Sequence, residues 1–95
     1  MDGDKLAHQA HFIYFILNED SKAIKIGRAK NLENRIKSLQ TSSPTQLKLI
    51  KSIQVESGEK AQQLEQSLHK KFQEIRLAGE WFKIREDLLD YIEQI

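Results

Sequence analysis

Four polar side chains stand where the surrounding pattern calls for apolar ones, or for the border of an apolar stripe: Tyr14, Lys25, Arg35 and Glu65. A strand tyrosine alone reads as core whose hydroxyl finds a partner. A strand lysine reads as one that snorkels to solvent or guards an edge. A border arginine commonly pairs with a carboxylate, which Glu65 can supply. Glu65 itself is harder to read as scaffold, because burying an unpaired carboxylate costs several kcal/mol. It calls for an ion pair or a metal ion, and carboxylates placed this way are functional-site candidates.

Together the four suit phosphodiester chemistry. Transfer of a phosphoryl group to water needs a base for the water, a fixed cation for the charge on the phosphoryl oxygens, and often a divalent ion on the leaving oxygen. In this reading Tyr14 or Lys25 is the base, Arg35 the fixed cation, and Glu65 the protein ligand of one Mg²⁺ or Mn²⁺ ion. A single glutamate suffices, since Mg²⁺ completes its shell with waters and substrate phosphate. His8 and His11 lie three apart but have no third ligand nearby, so they do not read as a metal site.

The elements that must hold these residues follow from periodicity. Phe12 to Leu17 is a continuous β-branched and aromatic run, the pattern of a strand buried on both faces. Asn18-Glu19-Asp20-Ser21 is turn chemistry, and Lys22 to Gly27 returns as a second strand. That turn places Tyr14 opposite Lys25 on one face; a turn one residue longer would put them on opposite faces. Asn31 caps a helix to about Gln40 with Leu32, Ile36 and Leu39 in its stripe, and Arg35 stands about 60° from Leu32. Thr41-Ser42-Ser43-Pro44 ends it.

Leu47 to Val55 reads as a third strand, with Leu47, Leu49, Ile53 and Val55 on one face. A second helix is expected from Glu59 to about Ile75, its stripe formed by Ala61, Leu64, Leu68, Phe72 and Ile75. Glu65 falls inside that stripe, and His69 stands one turn along the same edge, a candidate supporting residue. Leu77 to Phe82 makes a turn and a short extended piece, and Arg85 to Ile95 a last helix facing Leu88, Leu89, Ile92 and Ile95 inward. The order ββαβα(β)α predicts an α/β fold of the α+β kind, a three-stranded antiparallel sheet flanked by helices. Residues 1–11 read as a flexible arm, and residues 12–95 as a single domain.

Length and composition bound the rest. Ninety-five residues make one domain, which buries about 60–65% of its unfolded surface. The absence of cysteine excludes disulfides and thiolate metal sites and fits a cytoplasmic or nucleoid-associated protein. No apolar run approaches the ~18–20 residues of a membrane span, and the start lacks the apolar stretch of a signal peptide. The net charge of +1 is unremarkable, but its distribution is not: Lys22 to Lys51 holds eight cations against Glu33 alone, a net of +7, while residues 52–95 hold six cations and nine anions, a net of −3. Such asymmetry draws a polyanion. Arg28, Lys30 and Lys37 then join Lys25 and Arg35 as phosphate contacts.

Over about Phe12 to Phe82 the chain resembles the GIY-YIG nuclease superfamily. Phe12-Ile13-Tyr14 and Lys25-Ile26-Gly27 stand where that family has its two motifs, with Gly27 at the turn position. Arg35 matches its catalytic arginine, and Glu65 its metal-binding glutamate. The strings KIG, R..SLQT, LE..LH..F and GEWF resemble its compact phage and meiotically up-regulated-gene-type branch. Phe12, Lys25, Ala29 and Leu39 depart from the residues commonest in the family. The resemblance implies a metal-dependent endonuclease acting on DNA. The alternative is a catalytically inactive nucleic-acid-binding module on the same fold, acting through a partner. Either reading takes its sequence specificity from a protein partner or homodimer, or lacks it.

Overall fold

The computed structural model describes residues 10–95. Strand β1 (His11–Asn18) and strand β2 (Ala23–Ala29) form an antiparallel hairpin, followed by helix α1 (Leu32–Thr41), strand β3 (Leu47–Val55) and helix α2 (Gly58–Lys71). A 3₁₀ turn (Gln73–Ile75) leads into two short strands, β4 (Arg76–Ala78) and β5 (Trp81–Lys83), and helix α3 (Glu86–Gln94) closes the chain. The expected α+β class holds, but the sheet has five strands in place of three, in the order β3-β1-β2-β5-β4. Every pairing is antiparallel. The extra strands are a hairpin of three-residue arms around Gly79-Glu80. Arms that short show no alternation in sequence, and Gly79 makes the reversal at φ 56°, a left-handed value that glycine adopts without steric cost.

The sheet is covered on both faces, which is why Ile13, Tyr14, Phe15 and Ile16 of β1 are all fully buried. Ile13, Phe15, Ile24 and Ile26 face the main core with Ala61, Leu68, Phe72, Phe82, Leu88 and Ile92. Tyr14, Ile16 and Ala29 face the other way, under Leu32, Ile36 and Leu39 of α1. Asn31 caps α1 as expected, its Oδ1 accepting from Asn34 N at 3.0 Å. Ser57 does the same for α2 through Lys60 N at 3.1 Å.

Three local expectations are corrected. The residues from Leu47 to Val55 do not keep one face, because the register against β1 shifts between Phe15 and Ile16. A bulge at Ile50 turns the strand by one residue, leaving Ile53 and Val55 on the main core and Leu47 on the α1 side. Helix α3 buries Leu88 and Ile92 and turns Tyr91 toward Phe15 and Phe72, while Leu89 and Ile95 are exposed. The expected arm lies outside the described residues as far as residue 9, and its last residue, His11, begins β1 opposite Val55. Among the described residues no helix is long and apolar enough to cross a membrane.

Candidate functional site

The outer edge of β2 is covered along only part of its length. β5 pairs with it from Ala23 to Lys25, and Ile26 N donates to Glu80 O at 2.9 Å. Beyond that point side chains take over the strand's carbonyl groups. His69 Nε2 donates to Ile26 O at 2.9 Å, and Arg35 Nη1 donates to Arg28 O at 3.2 Å. Helices on opposite faces of the sheet therefore meet around one bare stretch of edge, α2 through His69 and α1 through Arg35. A shallow cleft of about 240 Å³ opens there, lined by Arg28, Arg35, Glu65 and Glu80.

Tyr14 reaches this edge across Gly27, its partner in the β1–β2 ladder. A Cβ at position 27 would lie 2.4 Å from the Tyr14 hydroxyl oxygen and 2.9 Å from Glu80 Oε1. Glycine is required here for close approach: the phenol and the Glu80 carboxylate converge on the space a side chain would fill. The Tyr14 hydroxyl is buried and has no hydrogen-bond partner, a state that costs about 1–3 kcal/mol. Burial pushes its pKa above the ordinary 10.0; the nearby Arg35 guanidinium opposes the rise, and the Glu80 and Glu65 carboxylates add to it. Arg35 lies close enough to lower the Tyr14 pKa, but by distance and angle the hydroxyl has no hydrogen-bond partner, and Arg35 Nη1 donates to the Arg28 carbonyl.

Glu65 is 8% exposed. Its Oε1 accepts from Arg28 Nε at 3.1 Å, while its Oε2 is buried with no partner. Burial raises its pKa above 4.5 and the Glu80 carboxylate raises it further, against the pull of Arg28 and His69. Lys25 is held on the other flank, with Nζ 3.0 Å from Glu80 Oε1 and 5.6 Å from the centroid of the Trp81 ring. Two arginines, a lysine, two carboxylates and a phenol thus share one small volume. Two of its buried oxygen atoms lack partners.

The structure brings Tyr14, Lys25, Arg35 and Glu65 to this edge, with differences from the expected detail. Tyr14 and Lys25 do share a face, but Lys25 stands opposite Ile16, so the two are diagonal neighbours. The turn lies one residue later than expected, because Asn18 stays in the ladder, its side chain accepting from Asp20 N and Ser21 N. The carboxylate Glu65 pairs with Arg28 and not with Arg35. β2 runs on through Arg28 to Ala29, and alternation turns Arg28 toward α2. Lys30 and Lys37 are exposed and lie outside the lining of the cleft. His69 serves the scaffold, bonded to Ile26 O and tilted against the Phe82 ring at 5.1 Å.

Sequence reasoning missed Glu80. It sits in the β4–β5 connection, and its one visible signal was the string Gly79-Glu80-Trp81-Phe82. Among the described residues no three His, Cys, Asp or Glu side chains gather as a metal cage. The donors present still fit a hard divalent ion, because the orphaned Glu65 Oε2 is an anionic oxygen and such an ion keeps most of its waters.

Residues 11–95 match the model of one protein family, the T5orf172 domain. No curated protein and no solved structure matches the chain. The family matched is the T5orf172 domain and not the GIY-YIG nuclease superfamily, so the membership expected from the motifs is corrected.

Proposed function

The chain belongs to the T5orf172 domain family, and from the cleft at the edge of β2 we propose that it is a metal-dependent endonuclease hydrolysing DNA phosphodiester bonds. The observation that carries this reading is the pair of buried, unpartnered oxygen atoms, Tyr14 Oη and Glu65 Oε2, beside two arginines. A scaffold avoids such atoms, since each costs about 1–3 kcal/mol. A site that awaits a ligand keeps them. An inactive binding module has use for the cations but none for the orphaned oxygens.

Each group takes a role from its surroundings. Arg35 is exposed and reaches the cleft from α1, so its free guanidinium nitrogens suit two oxygens of one phosphate. Lys25, ion-paired to Glu80, is a fixed positive charge. Tyr14 is then the proton acceptor: a water oxygen bonds to phosphorus while the bond to the leaving sugar oxygen breaks. The water's proton passes to the Tyr14 phenolate, and the leaving oxygen takes a proton from solvent. A raised pKa works against forming that phenolate, so positive charge must gather beside it, and Arg35 is the cation placed to supply it. Glu65 would hold Mg²⁺ or Mn²⁺, which supplies charge to stabilise the transition state and the leaving oxygen. A DNA substrate fits a cytoplasmic or nucleoid-associated setting.

The test is nicking of supercoiled plasmid by the wild type in Mg²⁺, in Mn²⁺ and in EDTA, with Arg35→Ala beside it. We expect cleavage only with the ion and its loss in Arg35→Ala with the fold intact. Cleavage that persists in EDTA, or an inert wild type that still binds DNA, removes the endonuclease reading.

A further inference from the structure

We infer that Glu80 is a second protein ligand of the divalent ion, so that the site is a two-carboxylate clamp closing from α2 and from the β4–β5 hairpin. The inference rests on the proposed reading of the cleft and adds a donor to it. Three independent placements support it. Glu65 and Glu80 line the same small cleft with Arg28 and Arg35. Each carboxylate has one oxygen in an ion pair, Glu65 Oε1 with Arg28 at 3.1 Å and Glu80 Oε1 with Lys25 at 3.0 Å. Glu65 Oε2 is left buried and unpartnered, and the fully buried Tyr14 hydroxyl is left unpartnered too.

Glu65 is nearly buried and the Glu80 side chain 38% exposed, yet the two carboxylates line one cleft and repel each other. Beyond the ion pairs with Arg28 and Lys25, a further positive charge between them would relieve that repulsion. A shared proton or a cation meets that need. The cation is the better match, because a proton bridging Glu65 and Glu80 leaves the Tyr14 hydroxyl without an acceptor, whereas water in the shell of a cation supplies one. Mg²⁺ and Mn²⁺ are commonly held by one or two carboxylates with waters filling the remaining positions. The backbone is built to hold Glu80 in place. Its carbonyl is stitched to Ile26 N at 2.9 Å, and Gly79 makes the reversal that aims it inward. Gly27 leaves the space into which Glu80 Oε1 and the phenol project.

The experiment is Mn²⁺ binding without nucleic acid, by calorimetry and by the electron paramagnetic resonance signal of free Mn²⁺. It compares the whole chain with Glu65→Gln, Glu80→Gln and Lys25→Met. We expect Mn²⁺ affinity to fall tenfold or more in each glutamine variant, and to hold or rise in Lys25→Met, which frees Glu80 from its ion pair. Glu80→Gln binding Mn²⁺ as well as the wild type overturns the inference and leaves Glu80 as the partner of Lys25. A wild type that takes up no Mn²⁺ overturns it as well. Should Glu80→Gln fail to fold, Lys25→Met decides: a tenfold loss there refutes the clamp. Plasmid cleavage is scored separately, so a chain that binds Mn²⁺ through both carboxylates but leaves DNA intact refutes the endonuclease reading and supports the clamp.

Discussion

Arg85 and Asp87 meet at the start of α3 through two bonds of 2.8 Å, whereas Arg28 and Glu65 meet in the cleft through one of 3.1 Å. At the first pair every carboxylate oxygen is engaged, for Asp87 Oδ1 also accepts from Leu88 N at 2.9 Å. At the second, Glu65 Oε2 has no partner. The carboxylates respond in opposite directions. Arg85 holds Asp87 down to about 2, while burial and the Glu80 carboxylate push Glu65 up. One arginine–carboxylate pair is finished as built, at the solvent-exposed end of a helix. The other joins an arginine half open to solvent to a nearly buried glutamate and leaves one carboxylate oxygen without a partner.

The largest expected contrast is in catalysis. Glu65→Gln keeps the shape and removes the charge, and DNA cleavage in Mg²⁺ should fall by roughly a hundredfold or more. Asp87→Asn, the same change at the finished pair, should leave the cleavage rate where it was. Equal losses in the two variants would show that cleavage follows global stability and has nothing to do with the cleft.

Next comes the space over Gly27. A Cβ there would lie 2.4 Å from the Tyr14 hydroxyl oxygen, so Gly27→Ala must displace the phenol or the strand. Overpacking of this kind costs about 1–3 kcal/mol, a loss of several degrees in Tm for a chain of this size. Adding Tyr14→Phe removes the nearest clashing atom and should restore part of the loss. A double variant no more stable than Gly27→Ala alone would place the strain elsewhere.

Much of this arrangement was legible in the sequence, and the rest was hidden for physical reasons. The continuous run in β1 announced burial on both faces, Asn31 announced its cap, and Glu65 stood out because helical spacing put it among Ala61, Leu68 and Phe72. The bulge at Ile50 could not be read, since an extra residue leaves the apolar content unchanged while turning the pattern over. Nor could the Arg28–Glu65 pair, which depends on β2 running two residues past Gly27 and on which helix covers that face. Glu80 was invisible as a site residue because its position depends on a hairpin whose arms are three residues long. The family was misjudged from short motifs, and a match across residues 11–95 outweighs them.

A smaller effect separates stability from function within the cleft. Tyr14→Phe removes an unsatisfied buried hydroxyl and keeps the ring, so thermal unfolding should show a protein as stable as the wild type or more so, by up to about 1–3 kcal/mol. Cleavage should be lost at the same time. A clear drop in Tm would mean the hydroxyl has a partner after all, and would withdraw the strongest support for a ligand site.

The smallest effect lies at the finished pair and depends on pH. Asp87 is pulled below its ordinary 3.8 to about 2 by Arg85, so the folded protein binds a proton there less readily than the unfolded chain. Its contribution to stability is therefore full above 3.8 and fades as pH falls through about 2. At neutral pH Asp87→Asn should lower Tm slightly, and the gap from the wild type should close on acidification across that window. The pair is fully exposed, so salt should narrow the same gap by screening. Glu65 carries the opposite sign. With its pKa raised in the fold, its ionised form weighs against folding, and that penalty is relieved as pH falls through the raised value. Glu65→Gln should accordingly cost little stability at neutral pH, and its Tm relative to the wild type should worsen on acidification while that of Asp87→Asn improves. Two curves of the same slope would mean that the two pairs are alike and that the cleft is as finished as the surface.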